Sequence, residues 1–165
     1  MQDKNILFNS NKTLTFAKLF LIRNYNMTIQ EKAQKLVEEF NYFDDWMDKY
    51  NYIIELGKSL PAIEDKFKTP DNTISGCQSQ VWLHAELRDG KLLFTADSDA
   101  IITKGIIALL INVLSGASPE DILNADMSFI DKIGLKEYLS PTRSNGLLSM
   151  VKQIKMYAYA FSVKK

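Results

Sequence analysis

The sequence predicts an α+β domain in which helices pack on one face of a small antiparallel sheet. Three observations lead to this prediction. Apolar residues recur at helical spacing towards both ends of the chain, apolar and polar residues alternate in its middle, and Asp89-Gly90 separates two alternating stretches. Strands that follow each other across such a tight turn pair antiparallel, and the helices on either side in sequence then cover one face of the sheet.

The composition indicates one globular domain with a core of its own. The chain has 165 residues, of which 46% are apolar and 24% are charged. Its 20 basic and 20 acidic side chains give a net charge of zero, which indicates neither nucleic-acid nor membrane binding. A single cysteine and a single histidine exclude an internal disulfide and a Cys/His zinc site. A cytoplasmic, reducing location fits this cysteine content.

The first 26 residues differ from the rest of the chain. They carry Lys4, Lys12, Lys18 and Arg23 against Asp3. The apolar stretch over residues 14–22 is short and interrupted by a lysine, so it does not read as a signal peptide or as a membrane span. We expect residues 1–26 to be a disordered extension, or to precede a native start at Met27, and residues 27–165 to form the domain.

Two helices are expected at the start of the domain. Thr28 and Glu31 have the spacing of a capping box, which predicts a helix beginning there. The apolar residues of that helix fall on one face at steps of three and four: Ile29, Ala33, Leu36, Val37 and Phe40. A second helical pattern runs over residues 43–56, and Gly57 is expected to end it.

The middle of the chain is predicted to be a β-hairpin. Residues 80–88 alternate between apolar and polar side chains, as a half-buried strand does. Asp89-Gly90 follows as a two-residue turn, and Leu92, Phe94 and Ala96 alternate along the return strand. A further short strand over residues 72–75 is expected to complete the sheet.

The last third of the chain returns to helical spacing. Residues 101–114 are apolar on nearly every face, which predicts a helix at the centre of the core. Ser118-Pro119 is typical of a helix start. Residues 139–147 are expected to form a loop, with Ser144 available to cap the final helix. The apolar stripe of that helix is Leu147, Val151, Ile154, Ala158 and Phe161.

Cys77 is the first candidate for chemistry. It lies in a polar segment beside Gly76, whereas inert cysteines are common in apolar runs. Both a functional thiol and an inert buried one remain open at this point. The lone histidine, His84, is seven residues along a strand, about 23 Å at the usual rise per residue. This separation disfavours a Cys-His protease and favours a polar-face position for His84.

A lone thiol can carry a group by exchange with another thiol, and this chemistry needs no internal partner or metal. Two further segments could support it. Asp97-Ser98-Asp99 is read either as a helix cap or as part of a binding site. Arg143 is read either as a solvated side chain or as a positive charge that lowers the pKa of Cys77.

Four blocks of the sequence resemble the SufE family of sulfur-acceptor proteins. They occur in the family's order, and the resemblance covers roughly residues 28–163. The blocks are Tyr52-Ile53-Ile54-Glu55-Leu56-Gly57 with Leu60-Pro61, Ser75-Gly76-Cys77-Gln78-Ser79-Gln80-Val81-Trp82, Asp97-Ser98-Asp99-Ala100 with Lys104-Gly105, and Leu139-Ser140-Pro141-Thr142-Arg143-Ser144-Asn145-Gly146-Leu147.

The resemblance implies a fold shared with the scaffold proteins of iron–sulfur cluster assembly. It implies that Cys77 takes persulfide sulfur from a SufS-type cysteine desulfurase, stimulates that enzyme, and relays the sulfur to a SufB-containing scaffold complex. Pyridoxal phosphate would belong to the desulfurase, and this chain would hold no cofactor or metal. The supporting or partner-binding residues would be Gly76, Gln78, Ser79, Gln80, Asp99 and Arg143.

Three other functions are set against this one. A protein that assembles the cluster itself conflicts with the ligand count, because a cluster takes about four thiolates or their substitutes. A thiol-based peroxide sensor or peroxidase would use Cys77 without any desulfurase. In an interaction module Cys77 would be incidental, and a Cys77→Ser variant would keep full activity.

Overall fold

The computed structural model describes residues 27–164, so the expected extension over residues 1–26 lies outside the described residues. This part of the chain contains seven α-helices and one two-stranded antiparallel sheet, which confirms the predicted α+β class. Two 3-10 turns, Asp65–Phe67 and Pro70–Asn72, precede the sheet. The elements are α1 (Ile29–Asn41), α2 (Trp46–Lys58), β1 (Val81–Arg88), β2 (Lys91–Ser98), α3 (Ile101–Leu114), α4 (Pro119–Leu123), α5 (Phe129–Lys132), α6 (Leu135–Tyr138) and α7 (Pro141–Val163).

The hairpin forms as predicted. Its two turn residues both have positive φ, 51° at Asp89 and 74° at Gly90, and β1 pairs with β2 from Val81 opposite Ser98 to Arg88 opposite Lys91. One face of the sheet is buried under the helices, with α3 packed on β2. The inward side chains are Val81, Leu83, Ala85, Leu92, Phe94 and Ala96.

The expected third strand over residues 72–75 is absent from the described part. In its place a single bridge joins Thr73 to Trp82, and the Ile74 N–H donates to the Val81 carbonyl at 2.8 Å. A longer strand cannot form here, because the second 3-10 turn ends at Asn72 and Gly76 reverses the backbone with φ 87°. This short link still fixes where the chain enters β1.

Helix α3 is the centre of the core, as its composition predicted. Eleven of its 14 residues are buried, and it contacts α1, α2, α7 and β2. The prediction that Gly57 ends the preceding helix is wrong, because α2 continues to Lys58 and Gly57 is buried within it. A Cβ atom on Gly57 would lie 2.8 Å from the backbone nitrogen of Gly105 in α3. Gly57 therefore serves close helix packing.

Helix α1 begins where the sequence predicts, whereas α2 begins later than predicted. Thr28 and Glu31 form the predicted capping box at the start of α1. Helix α2 begins at Trp46, three residues later than expected, because the Asp45 side chain accepts a hydrogen bond from the Asp48 N–H at 2.9 Å. Phe43 lies before the helix and packs on the Phe40 and Tyr52 rings.

The C-terminal third departs most from prediction. Ser118 caps α4 as expected, but the one-turn helices α5 and α6 carry no periodicity that would reveal them. The expected loop over residues 139–147 is mostly helix: α7 begins at Pro141, and its cap is Ser140, whose hydroxyl accepts from the Arg143 N–H at 3.4 Å. Ser144 therefore lies inside α7 and is not its cap. The buried face of α7 consists of Gly146, Leu147, Met150, Ile154 and Ala158.

Candidate functional site

Cys77 lies in a short loop between the second 3-10 turn and β1. Gly76 precedes it with φ 87°, a conformation that other residues rarely adopt, and reverses the backbone there. The thiol is free and partly buried. The loop is joined to the sheet at its two ends, through Ile74 and Gln80.

The loop packs against the first turns of α7. The Cys77 thiol donates a hydrogen bond to the Gly146 carbonyl, with 3.7 Å between sulfur and oxygen. A Cβ atom on Gly146 would lie 3.5 Å from Cys77 Sγ, and one on Gly76 would lie 2.6 Å from Ser149 Oγ. Two glycines, one on each side of the contact, therefore bring the thiol close to the helix backbone.

A pocket of about 50 Å³ opens beside the sulfur. A cavity needs a volume of roughly 10–15 Å³ to hold one water molecule, so a second sulfur atom attached to Cys77 fits this pocket. The lining comes from the Cys77 loop, from α3 and from α7: Cys77, Gln78, Ser79, Thr103, Ile106, Thr142, Arg143, Gly146 and Met150. The pocket thus joins three elements that are far apart in sequence.

The electrostatic state of the thiol is set by burial. Burial raises the pKa of Cys77, because the ionised form loses its water contacts there. The sequence left open whether Arg143 would lower this pKa; Arg143 does line the pocket, but the shift of the pKa is upward. His84 takes no part, since its ring stacks on Phe67 at 3.6 Å between centroids, on the outer face of the hairpin. The resting thiol is protonated at neutral pH.

The segment Asp97–Asp99 anchors the far end of the Cys77 loop. Asp99 accepts a hydrogen bond from the Gln80 N–H at 3.0 Å, and the Ser98 hydroxyl donates to the Gln80 carbonyl at 2.8 Å. Asp97 forms ion pairs with Lys68 at 3.0 Å and Lys104 at 3.2 Å. The helix-cap interpretation of this segment is wrong, since the N-cap of α3 is Ala100, which makes no side-chain cap bond.

The candidate residues thus fall into two groups. Cys77, Gln78, Ser79 and Arg143 line the pocket, whereas Gly76, Gln80 and Asp99 shape and anchor the loop. The sequence did not reveal which residues of α3 line the pocket, nor which residues of α7 contact the Cys77 loop. A glycine inside a helical pattern often marks a close approach, but this signal was hidden at Gly146, which stands in the segment expected to be a loop. The missed residues are Thr103, Ile106, Thr142, Gly146, Ser149 and Met150.

Between residues 27 and 164 no group of three or more His, Cys, Asp or Glu side chains is arranged to hold a metal ion. None of the helices in that range combines the length and the apolar composition that crossing a membrane would require.

The fold and the site define a class of protein: an α+β domain that presents one partly buried thiol beside a small pocket. Comparison with known proteins identifies the family. Residues 34–158 match the family model of SufE, described as an Fe-S metabolism associated domain. This chain belongs to the SufE family, and hence to the sulfur-transfer proteins of iron–sulfur metabolism, which are generally associated with cysteine desulfurases.

Individual relatives agree with this assignment. An uncharacterized SufE-like protein from Rhizobium meliloti (strain 1021) is 41% identical over 129 residues, which cover 75% of this chain and 92% of the relative. One from Rhizobium etli is 42% identical over 126 residues, covering 73% and 85%. The solution structure of a hypothetical protein from Thermus thermophilus has a TM-score of 0.67 at 22% identity, covering 78% of this chain and 94% of that one. The last of these supports the fold.

Proposed function

We propose that Cys77 accepts the sulfane sulfur of a cysteine desulfurase persulfide and carries it, as its own persulfide, to a SufB-containing scaffold complex. The observation that carries this proposal is the position of the thiol: it is partly buried, it touches the α7 backbone at Gly146, and it opens into a pocket with room for one more sulfur atom. A carrier needs such a pocket, because an exposed persulfide would be lost to other thiols.

The transfer is a thiol exchange without net redox change. The Cys77 sulfur attacks the outer sulfur of the donor persulfide, so that a new S–S bond forms on Cys77 as the donor S–S bond breaks. The donor cysteine leaves with the bonding electron pair, and the proton released by Cys77 ends on that leaving thiol. Delivery repeats the same step with a thiol of the acceptor attacking the outer sulfur on Cys77.

Because the pKa of Cys77 is raised, activation of this thiol depends in part on the complex with the donor enzyme. A thiol that is protonated at neutral pH is a poor nucleophile, and the described residues around it offer no neighbouring base. Leaving the Gly146 contact for a more polar surface removes the burial that raises the pKa. In this proposal Cys77 reacts when a desulfurase draws the loop outward, which protects the chain from stray oxidants between encounters.

The desulfurase holds the pyridoxal phosphate that generates the persulfide, and this chain holds none. Removal of the persulfide frees the desulfurase for another turnover, so the chain stimulates that enzyme. The exchange requires a compartment that keeps thiols reduced, which is the cytoplasm. The raised pKa also disfavours the alternative of a peroxide sensor, since peroxide reacts with low-pKa thiolates.

The test is the intact mass of the chain after incubation with a purified cysteine desulfurase, pyridoxal phosphate and cysteine. We expect a gain of one sulfur atom that reductant reverses. A Cys77→Ser variant should show no gain, while Ser75→Ala, which alters a side chain in the same loop, should gain sulfur like the unmodified protein. An active desulfurase that leaves the mass unchanged would contradict the proposal. Rapid sulfenic acid formation with dilute peroxide alone would support the alternative.

A further inference from the structure

Helix α7 exposes an apolar stripe on its solvent side. Leu148, Met156, Tyr159 and Val163 are each more than half exposed, and Lys152 lies between the first two. The spacing of these five positions is four, four, three and four residues, which places them along one face of the helix. We call this set of residues the α7 outer face.

The α7 outer face is unusual for a surface helix. The buried residues of α7 occupy the opposite side of the helix, where Gly146, Met150 and Ile154 meet the core. The side that faces water is normally polar. A single exposed apolar residue needs no explanation, but a row of four large ones on one helix is typical of an interaction surface.

The charge of α7 indicates which charge its binding partner carries. The helix contains Arg143, Lys152 and Lys155 and no aspartate or glutamate, and every acidic residue of the sequence precedes residue 139. The Lys155 ammonium donates to two backbone carbonyls at 3.2 Å each. Within residues 27–164 no carboxylate forms an ion pair with Arg143 or Lys152. A complementary partner therefore presents acidic side chains around an apolar centre.

The α7 outer face is continuous with the Cys77 site. Gly76 lies against Ser149, and Ser149 is the surface neighbour of Lys152 one helical turn further along α7. Arg143, at the other end of the same contact, lines the pocket. A protein that covers the α7 outer face is consequently placed beside the loop that carries the thiol.

We propose that the α7 outer face binds an acidic surface of the cysteine desulfurase that donates sulfur to Cys77. This rests on the proposed function, which it deepens by assigning the docking surface. The donor is favoured because proteins of this family are generally associated with cysteine desulfurases, and because the α7 outer face lies beside the loop that the donor must reach. Apolar contacts supply affinity, and Lys152 and Arg143 orient the donor towards the loop.

The experiment measures sulfur gain by mass as a function of the concentration of the chain, with a fixed amount of desulfurase. Lys152→Glu should raise the half-saturating concentration by about tenfold, and Met156→Ser should raise it by a smaller factor. In both variants the yield at saturation should stay at one sulfur per chain. Added salt should weaken binding of the unmodified protein more than that of Lys152→Glu.

Two matched controls lie outside the α7 outer face. Lys132→Glu makes the same charge reversal at an exposed position of α5. Met47→Ser makes the same substitution in α2, where Met47 is 66% exposed against 53% for Met156. Neither control should change the half-saturating concentration. Thermal unfolding of all four variants tests that the fold is retained.

Each outcome decides between the hypotheses. Unchanged half-saturation for both α7 variants would overturn the docking proposal and leave the sulfur-acceptor function standing. Normal sulfur gain with slower delivery to the scaffold complex would also overturn it, since the face would then belong to the acceptor. An unmodified protein that gains no sulfur from an active desulfurase would remove both proposals together.

Discussion

The Cys77 thiol donates to the carbonyl of Gly146, and a Cβ atom on that glycine would lie 3.5 Å from the sulfur. This distance corresponds to ordinary van der Waals contact, so the thiol lies directly against the backbone of α7. A residue of the loop before β1 and a residue of the last helix, 69 positions apart, together form the floor of the site.

Substitution of Gly146 tests this contact. Gly146→Ala adds a methyl group at tolerable distance and should raise the free energy of unfolding by about 0.5–1 kcal/mol, because glycine weakens a helix interior. Gly146→Val adds two more carbons beside the sulfur and should displace the loop. We expect iodoacetamide to alkylate Cys77 several-fold faster in Gly146→Val than in Gly146→Ala. Equal alkylation rates would show that α7 does not shield the thiol.

Helix packing at Gly105 gives a second prediction. A Cβ atom on Gly105 would clash with the Ile53 carbonyl of α2, which is backbone and cannot rotate away. Gly105→Ala should therefore lower the free energy of unfolding by about 1–3 kcal/mol or more, as overpacking does. Chemical denaturation measures this change, and Gly146→Ala is the control with the same substitution in another helix. A Gly105→Ala variant as stable as the unmodified protein would refute the close contact.

The anchor at Asp99 gives a third prediction. Its carboxylate accepts the Gln80 N–H at 3.0 Å and so holds the end of the Cys77 loop. Asp99→Ala should lower the free energy of unfolding by about 1 kcal/mol and speed the alkylation of Cys77, because one loop anchor is lost. Asp99→Asn retains an acceptor oxygen and should behave closer to the unmodified protein. Alkylation that is slower in Asp99→Ala than in Asp99→Asn would contradict the anchoring role.

The raised pKa of Cys77 predicts two effects of pH. Alkylation of the folded chain should still be accelerating at pH values where an unfolded cysteine is already fully ionised. Stability should fall as pH rises from the pKa of the unfolded thiol to the higher pKa of the folded one, since the folded state then retains a proton that the unfolded state has lost. Cys77→Ser should remove this part of the pH dependence. An alkylation rate that levels off below the ordinary cysteine pKa would disprove the shift.

The elements that could be predicted from the sequence are those whose pattern depends on local burial. The alternation over β1, the Asp89-Gly90 turn and the apolar run of α3 each follow from which side chains face the core, and all three were confirmed. The segment around Cys77 could also be recognised from the sequence, because a glycine and polar neighbours distinguish it from the apolar segments that hold buried cysteines.

The tertiary structure alone decided the rest. Gly57 reads as a helix end in sequence, but it lies within α2, where its missing side chain allows Gly105 of α3 to approach. The pocket beside Cys77 combines side chains of α3 and α7 with the loop, and burial among them raises the pKa of the thiol. Periodicity reports whether a residue faces the core, but not which distant residue it meets there. The chain by itself therefore determined the elements and the reactive residue, and the packing of the helices determined the surroundings of the sulfur.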